Sequence, residues 1–181
     1  MVQLSRATSR RTLVPALIVI AALLALVAGI YVERTWRSAR PIDAAALFGI
    51  SLPDVDGREQ PLAQWRGKVL VVNWWATWCA PCREEMPRFV EAQRELAPRG
   101  LQFVGIAVDQ PDKVQAFAKE FALNYPSLIG GVGSLELSKA YGNRLMALPF
   151  TVVVDRDGRV AHTQLGPLAE HRMRQLLGKL L

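Results

Sequence analysis

Seven residues, Val69-Leu70-Val71-Val72-Asn73-Trp74-Trp75, leave little choice of architecture. The run is almost wholly apolar and rich in β-branched side chains, which suits a strand covered on both faces. Covering both faces of a sheet takes helices, and the chain supplies them in alternation. Residues 83–96 read as a helix and residues 101–108, Leu-Gln-Phe-Val-Gly-Ile-Ala-Val, as a second buried strand. Residues 112–123 then place Val114, Phe117, Ala118 and Phe121 at helical spacing. A βαβα alternation implies parallel strands with helices on the faces of the sheet.

The flanking segments complete this picture. Between Phe48 and Leu62 the pair Asp56-Gly57 signals a hairpin turn between two short extended stretches. After a helix near residues 135–141 come a strand over 151–155, an Arg156-Asp157-Gly158 turn and a second strand over 159–164. Residues 167–181 close the chain as an amphipathic helix with Leu168, Met173, Leu176, Leu177 and Leu180 as its apolar side.

The N-terminal part is of a different kind. Residues 13–32 carry no formal charge, and at about 1.5 Å per residue such a helix spans roughly 30 Å, the thickness of a bilayer core. A cleaved signal peptide is the rival reading. Its apolar region is usually about 7 to 15 residues and ends in a small-x-small site, whereas Leu26-Val27-Ala28 lacks the first small residue. The sequence therefore divides into a cytoplasmic basic tail 1–12, a transmembrane anchor 13–32, a linker 33–46 and a folded domain 47–181. Arg6, Arg10 and Arg11 before the span are matched by Arg34, Arg37 and Arg40 after it, so the positive-inside count is a tie. Of the formal charge of +6, residues 1–40 hold +5 and the remainder only +1. The domain thus lacks the basic excess of a nucleic-acid binder, and no nucleic acid is expected among its partners.

Both cysteines lie in Trp78-Cys79-Ala80-Pro81-Cys82, directly after the buried strand and at the start of the helix. A helix N-terminus presents free N–H groups and a positive partial charge, which favour the thiolate of Cys79 and make it the attacking sulfur. Cys82 is then within reach of a mixed disulfide at Cys79 and can resolve it by a second exchange. Pro81 has no N–H to lose in the first turn, and its fixed φ stiffens the motif. A structural zinc site needs about four ligands, and neither a second cysteine pair nor a suitably spaced histidine is present. Haem attachment needs a histidine after the second cysteine, where Arg83 stands. No metal site and no cofactor are therefore assigned. A static disulfide would close too small a loop to stabilise much.

Residues 71–87, Val-Val-Asn-Trp-Trp-Ala-Thr-Trp-Cys-Ala-Pro-Cys-Arg-Glu-Glu-Met-Pro, resemble the active-site segment of thioredoxin-like proteins of the TlpA/ResA group. The resemblance extends over 47–181. It includes Leu52-Pro53-Asp54, Arg66-Gly67-Lys68, and Leu148-Pro149 before Thr151-Val152-Val153-Val154-Asp155-Arg156-Asp157-Gly158. It implies an α/β thioredoxin-like fold: a central mixed sheet flanked by helices, an N-terminal β-hairpin extension, and a helix-bearing insertion over 109–130. It also implies a membrane-tethered thiol-disulfide oxidoreductase outside the cytoplasmic membrane, on its periplasmic side, that reduces protein disulfides. The implied partners are an oxidised protein such as an apocytochrome c and a membrane thiol protein as electron donor.

Residue by residue, the resemblance makes Cys79 and Cys82 the redox pair and Pro149 the cis-proline beside them. Glu85 matches a buried acid that tunes or deprotonates the cysteines. Helical spacing permits that contact, and a solvated glutamate beside Arg83 and Glu84 is the alternative the spacing leaves open. Trp78, Ala80, Pro81 and Leu148 form the implied substrate rim, with Trp74 and Trp75 as packing. Asn73 stands where thioredoxin carries a buried acid, which shifts the proton-relay role to Glu85 or water. Phe150 and Ala147 depart from the group's frequent Thr and Gly, and Phe150 reads either as a bulkier lip on the substrate groove or as packing. Two other readings remain: a peroxiredoxin-like thiol peroxidase, against which Thr77 sits one residue too close to Cys79, and a non-catalytic copper-binding assembly factor, whose cysteines are usually spaced one residue further apart.

Overall fold

The computed structural model describes residues 9–38 and 43–181, so most of the basic tail 1–12 and part of the linker lie outside the described residues. The chain divides into two units, residues 1–40 and 41–181. In the first, α1 (Ser9–Ser38) carries the apolar run, and Leu17, Leu24 and Tyr31 on it are 64%, 65% and 69% exposed. Among the described residues, no helix is long and apolar enough to cross a membrane.

In the second unit, a five-stranded sheet has the order β5-β4-β3-β6-β7. Strand β3 (Val69–Trp75) is buried at every position. It pairs in parallel with β4 (Leu101–Ala107) and antiparallel with β6 (Phe150–Val154). The outer strands are β5 (Ser127–Ile129), parallel to β4, and β7 (Val160–Leu165), antiparallel to β6. The βαβα part is thus parallel, as its alternation predicted, and the terminal hairpin makes the whole sheet mixed.

Three longer helices, α3 (Ala80–Leu96), α4 (Pro111–Glu120) and α6 (Glu170–Leu180), and the shorter α5 (Ser134–Lys139) accompany the sheet. The alternation of side chains along β3 divides the core. Val69 and Val71 face a cluster with Phe89 of α3 and Met173 and Leu177 of α6, while Leu70, Val72 and Trp74 face Leu47, Leu135 and Tyr141. Each face therefore buries its own set of apolar side chains, the dominant favourable contribution to folding.

The domain begins earlier than the boundary at residue 47. Ala44 is fully buried, its N–H bonds the Gly158 carbonyl at 3.0 Å, and α2 (Ala45–Phe48) packs Leu47 into the core. The hairpin formed by β1 (Ser51–Pro53) and β2 (Glu59–Pro61) follows. Its turn, Asp54-Val55-Asp56-Gly57-Arg58, repeats between β6 and β7 as Asp155-Arg156-Asp157-Gly158-Arg159. In each, the first aspartate Oδ1 accepts from two backbone N–H groups at 2.8–3.0 Å, and the glycine sits at φ 80° or 82°. That φ is open to glycine and strained for other residues, which is why both turns carry one.

Candidate redox site

Strand β3 ends at Trp75, and the chain crosses Ala76-Thr77-Trp78 to enter α3 at Cys79. Cys79 is the helix N-cap, with extended backbone at φ −85° and ψ 101°, and its Sγ accepts the Cys82 N–H at 3.3 Å. The helix therefore starts at Ala80 rather than Arg83 and takes the whole motif into its first turn, with Pro81 where no N–H is needed. Cys79 and Cys82 are joined in a disulfide with S–S 2.02 Å and Cα–Cα 5.3 Å. The two cysteines are unequally placed: Cys79 keeps 5% exposure and Cys82 none. The helix continues through Pro87 to Leu96, so the proline does not end it.

The predicted rim residues divide in the same way. Trp78 is 68% exposed, Ala80 and Pro81 are exposed, Leu148 is half-buried and Pro149 is buried. Leu148 packs against the cluster that contains both cysteines, Trp75, Ala76 and Met86. The Leu148–Pro149 peptide bond is cis. The loop that delivers it is held by the buried Asn143, whose Nδ2 donates to the Ala147 carbonyl and whose Oδ1 accepts the Ala147 N–H, both at 3.0 Å. Sequence reasoning missed Asn143, which bonds the Ala147 backbone four residues on and donates to Ser138 Oγ at 3.0 Å. Trp74 and Trp75 are core, as read. Phe150 is packing and not a lip: it is 2% exposed, with its ring 5.8 Å from that of Trp74.

One helical turn beyond Cys82 lies a buried polar cluster centred on Glu85 and Asn73. Glu85, three residues beyond Cys82, has no exposed surface, which removes the alternative of a solvated glutamate. Its Oε2 accepts the Leu168 N–H at 2.9 Å and its Oε1 accepts from Asn73 Nδ2 at 3.0 Å. The same Nδ2 donates to Thr151 Oγ1 at 3.0 Å. Burial pushes the Glu85 carboxyl up from 4.5 to about 7, against the opposing pull of the Leu168 N–H, Asn73 and the charge of Arg88. Glu85 is thereby poised to gain or lose a proton near neutral pH, the property required of a group that exchanges protons with thiols.

A second carboxylate, not singled out from the sequence, stands beside the turn that carries Cys79. Asp109, just past the end of β4, accepts from both the N–H and the hydroxyl of Thr77 and from the Gln110 N–H. Burial favours its neutral form, but these hydrogen bonds and Lys113, 4.0 Å away, outweigh it and hold its carboxyl below the usual range. Asp109 so fixes the turn that carries Trp78 and Cys79. A cleft of about 340 Å³ opens beside Trp78, lined by Val108, Asp109, Gln110, Lys113, Gly131 and Val132. Arg83 lies over the rings of Phe117 and Phe121, tying the start of α3 to α4. His162 and His171 take no part in this site, and among the described residues no cluster of potential metal ligands occurs.

Comparison with known proteins agrees with this geometry. A family model described as Redoxin matches residues 41–179. Thiol-disulfide oxidoreductase ResA of Bacillus thuringiensis subsp. konkukian is 30% identical over 128 residues, 70% of this chain and 72% of the relative. The thioredoxin-like protein YneN of Bacillus subtilis is 33% identical over 131 residues, 70% of this chain and 74% of the relative. Among solved structures, a thiol:disulfide interchange protein of the thioredoxin family from Chlorobium tepidum superposes with a TM-score of 0.70 at 31% identity, covering 78% of this chain and 97% of that one. The architecture is thus the thioredoxin-like α/β fold that the sequence predicted.

Proposed function

The chain belongs to the redoxin family, and from that premise we propose that it is a membrane-anchored, extracytoplasmic reductase of protein disulfides. Thiol-disulfide exchange at Cys79 and Cys82 is its chemistry, as in the ResA-type oxidoreductases to which it is similar. The observation that carries the reading is the asymmetric pair: a disulfide at the N-cap of α3 in which Cys79 keeps 5% exposure and Cys82 has none.

In the reduced protein the Cys79 thiolate, stabilised by N–H groups of the first helical turn, attacks a substrate disulfide. One substrate sulfur leaves as a thiolate and takes a proton from solvent, and Cys79 is left in a mixed disulfide. Cys82 then gives its proton to the Glu85 carboxylate, and the resulting thiolate attacks Cys79 Sγ. The second substrate sulfur departs, the Cys79–Cys82 disulfide closes, and the substrate has gained the two electrons this protein has lost. Trp78, Ala80, Pro81 and Leu148 form the rim against which the substrate chain lies, with Pro149 beneath it.

The anchor rests on the sequence. Residues 13–32 are uncharged and long enough to span a bilayer, a run that extends ahead of the side chains described for α1. In this reading, which follows the resemblance to membrane-tethered ResA-type proteins, the domain lies on the far side of the cytoplasmic membrane, where a membrane thiol protein supplies electrons and an oxidised protein such as an apocytochrome c receives them. The test is a redox titration of the full chain in glutathione or dithiothreitol buffers, following the pair by thiol alkylation and mass. A midpoint near or below about −250 mV supports the reductase direction, one near −120 mV reverses it, and a pair that does not cycle removes the redox reading.

A further inference from the structure

Asn73 occupies the centre of the buried polar cluster and raises a problem of hydrogen-bond accounting. It is 2% exposed, Glu85 and Thr151 are fully buried, and every polar atom there needs a partner from within the protein. Asn73 Nδ2 donates twice, to Glu85 Oε1 and Thr151 Oγ1, both at 3.0 Å. Asn73 Oδ1 is buried and, among the described residues, has no hydrogen-bond partner. The arrangement suits an ionised Glu85, which can only accept. A protonated Glu85 needs an acceptor for its O–H, and an amide turned by half a rotation about its Cβ–Cγ bond supplies one. Oδ1 would then accept from the Glu85 O–H and the Thr151 O–H, again two bonds with one amide atom left over. The two orientations are matched in number of bonds, so the proton on Glu85 decides between them.

We propose that Asn73 is a positioning residue for thiol-disulfide exchange: anchored on Thr151, its amide holds the Glu85 carboxyl in both protonation states, donating to the ionised group and, turned over, accepting from the protonated one. An aspartate here could not do this, because an ionised aspartate 3.0 Å from an ionised Glu85 would repel it. The inference rests on the reading that Glu85 exchanges a proton with Cys82. In the exchange the Cys82 S–H bond breaks, an O–H bond forms on Glu85, and the amide follows the proton. No electrons pass through Asn73. The other groups set around Glu85 are Arg88 on its own helix, Tyr125 from the segment before β5, the Leu168 N–H ahead of α6, and Cys82 one turn back. The Tyr125 hydroxyl is buried, is pushed up by burial and by the charge of Glu85, and stays protonated through the range where Glu85 titrates.

The experiment measures the pH dependence of disulfide reduction by dithiothreitol in the full chain and in its Glu85→Gln, Asn73→Leu and Asn73→Asp variants. The Asn73 side-chain NH₂ signals are followed in parallel by ¹⁵N NMR of the unmutated chain. The proposal expects the NH₂ signals to move with the same midpoint as the Glu85-dependent limb of the rate profile. It expects Asn73→Leu to raise that midpoint by roughly half to one pH unit, because a charge-assisted bond lost from the ionised form outweighs a neutral one lost from the protonated form. Asn73→Asp should split the limb into two steps, as two close carboxyl groups sharing a proton do. NH₂ signals that stay fixed through the transition, or an Asn73→Leu limb at the unmutated midpoint, overturn the proposal. A limb that survives Glu85→Gln overturns instead the reading on which it rests, so the two failures are distinguishable.

Discussion

Glu85 and Asp109 lie on opposite flanks of one redox segment and are held in opposite ways. Both are removed from water, so desolvation pushes both towards the neutral form. Asp109 meets three donors on neighbouring backbone and hydroxyl groups, with an ammonium close by, and stays ionised. Glu85 meets one backbone N–H and one amide, and its carboxyl rises to about 7. What separates a carboxylate that holds a loop in place from one that can carry a proton is depth of burial set against the donors that meet it. Glu85 has no exposed surface and few donors, whereas Asp109 is only partly buried as a residue and has more of them.

The comparison can be broken most forcefully at Glu85. Its folded value lies above the ordinary 4.5, so between about pH 4.5 and pH 7 only the folded chain binds the proton and stability falls as pH rises through that window. Above pH 7 that loss is complete and amounts to roughly 3 kcal/mol. Glu85→Gln should therefore be more stable than the unmutated protein at pH 8 by roughly that amount and about equal to it at pH 4. Denaturant unfolding across this range checks it, and parallel curves for the two proteins would show that Glu85 is not held neutral. The same variant should slow closure of the Cys79–Cys82 disulfide at pH 7 by about 100-fold, read by stopped-flow reduction of a disulfide substrate.

Asp109 should respond with the opposite sign. Its contribution is present above its ordinary value and lost as pH falls. Asp109→Asn should destabilise by about 1 to 2 kcal/mol at pH 7, with the difference from the unmutated chain shrinking under acid. A constant difference down to pH 3 would mean that its charge is immaterial. Thr77→Val removes one donor and should cost about 1 kcal/mol at pH 7. Lys113, largely exposed, should cost under about 0.5 kcal/mol when replaced by alanine, an effect that salt erases.

The strands β3, β4 and β6 were legible because each is a run of apolar residues that only a covered sheet can accommodate. Strand β5 was not: Ser127–Ile129 is three residues, too short for any periodicity, and apart from one bridge from Leu128 to Asp54 it pairs with β4. The four residues of α2 escaped for the same reason, and with them the burial of Ala44. The cysteine pair was readable from its place between a strand and a helix. The burial of Glu85 was implied only by the resemblance, because Arg83 and Glu84 beside it left a solvated turn equally open. Its partners come from distant parts of the chain, Asn73 from β3 and the Leu168 N–H from 83 residues on. Asp109 had one available signal, its place just past the carboxyl end of a parallel strand, where α/β sheets gather functional groups.

In the proposed turnover this protein is bonded to a substrate polypeptide through a single sulfur, and thermal motion of that partner pulls on Cys79. The tug reaches the sheet four residues back, at Trp75, the end of β3. That strand is paired along seven residues with β4 on one side and five with β6 on the other, with no exposed edge. Loosening it means shearing two rows of hydrogen bonds together and opening the core on both faces. The load thus falls on the part of the domain expected to exchange its amide hydrogens last, and a tethered substrate can strain against the enzyme without unravelling it.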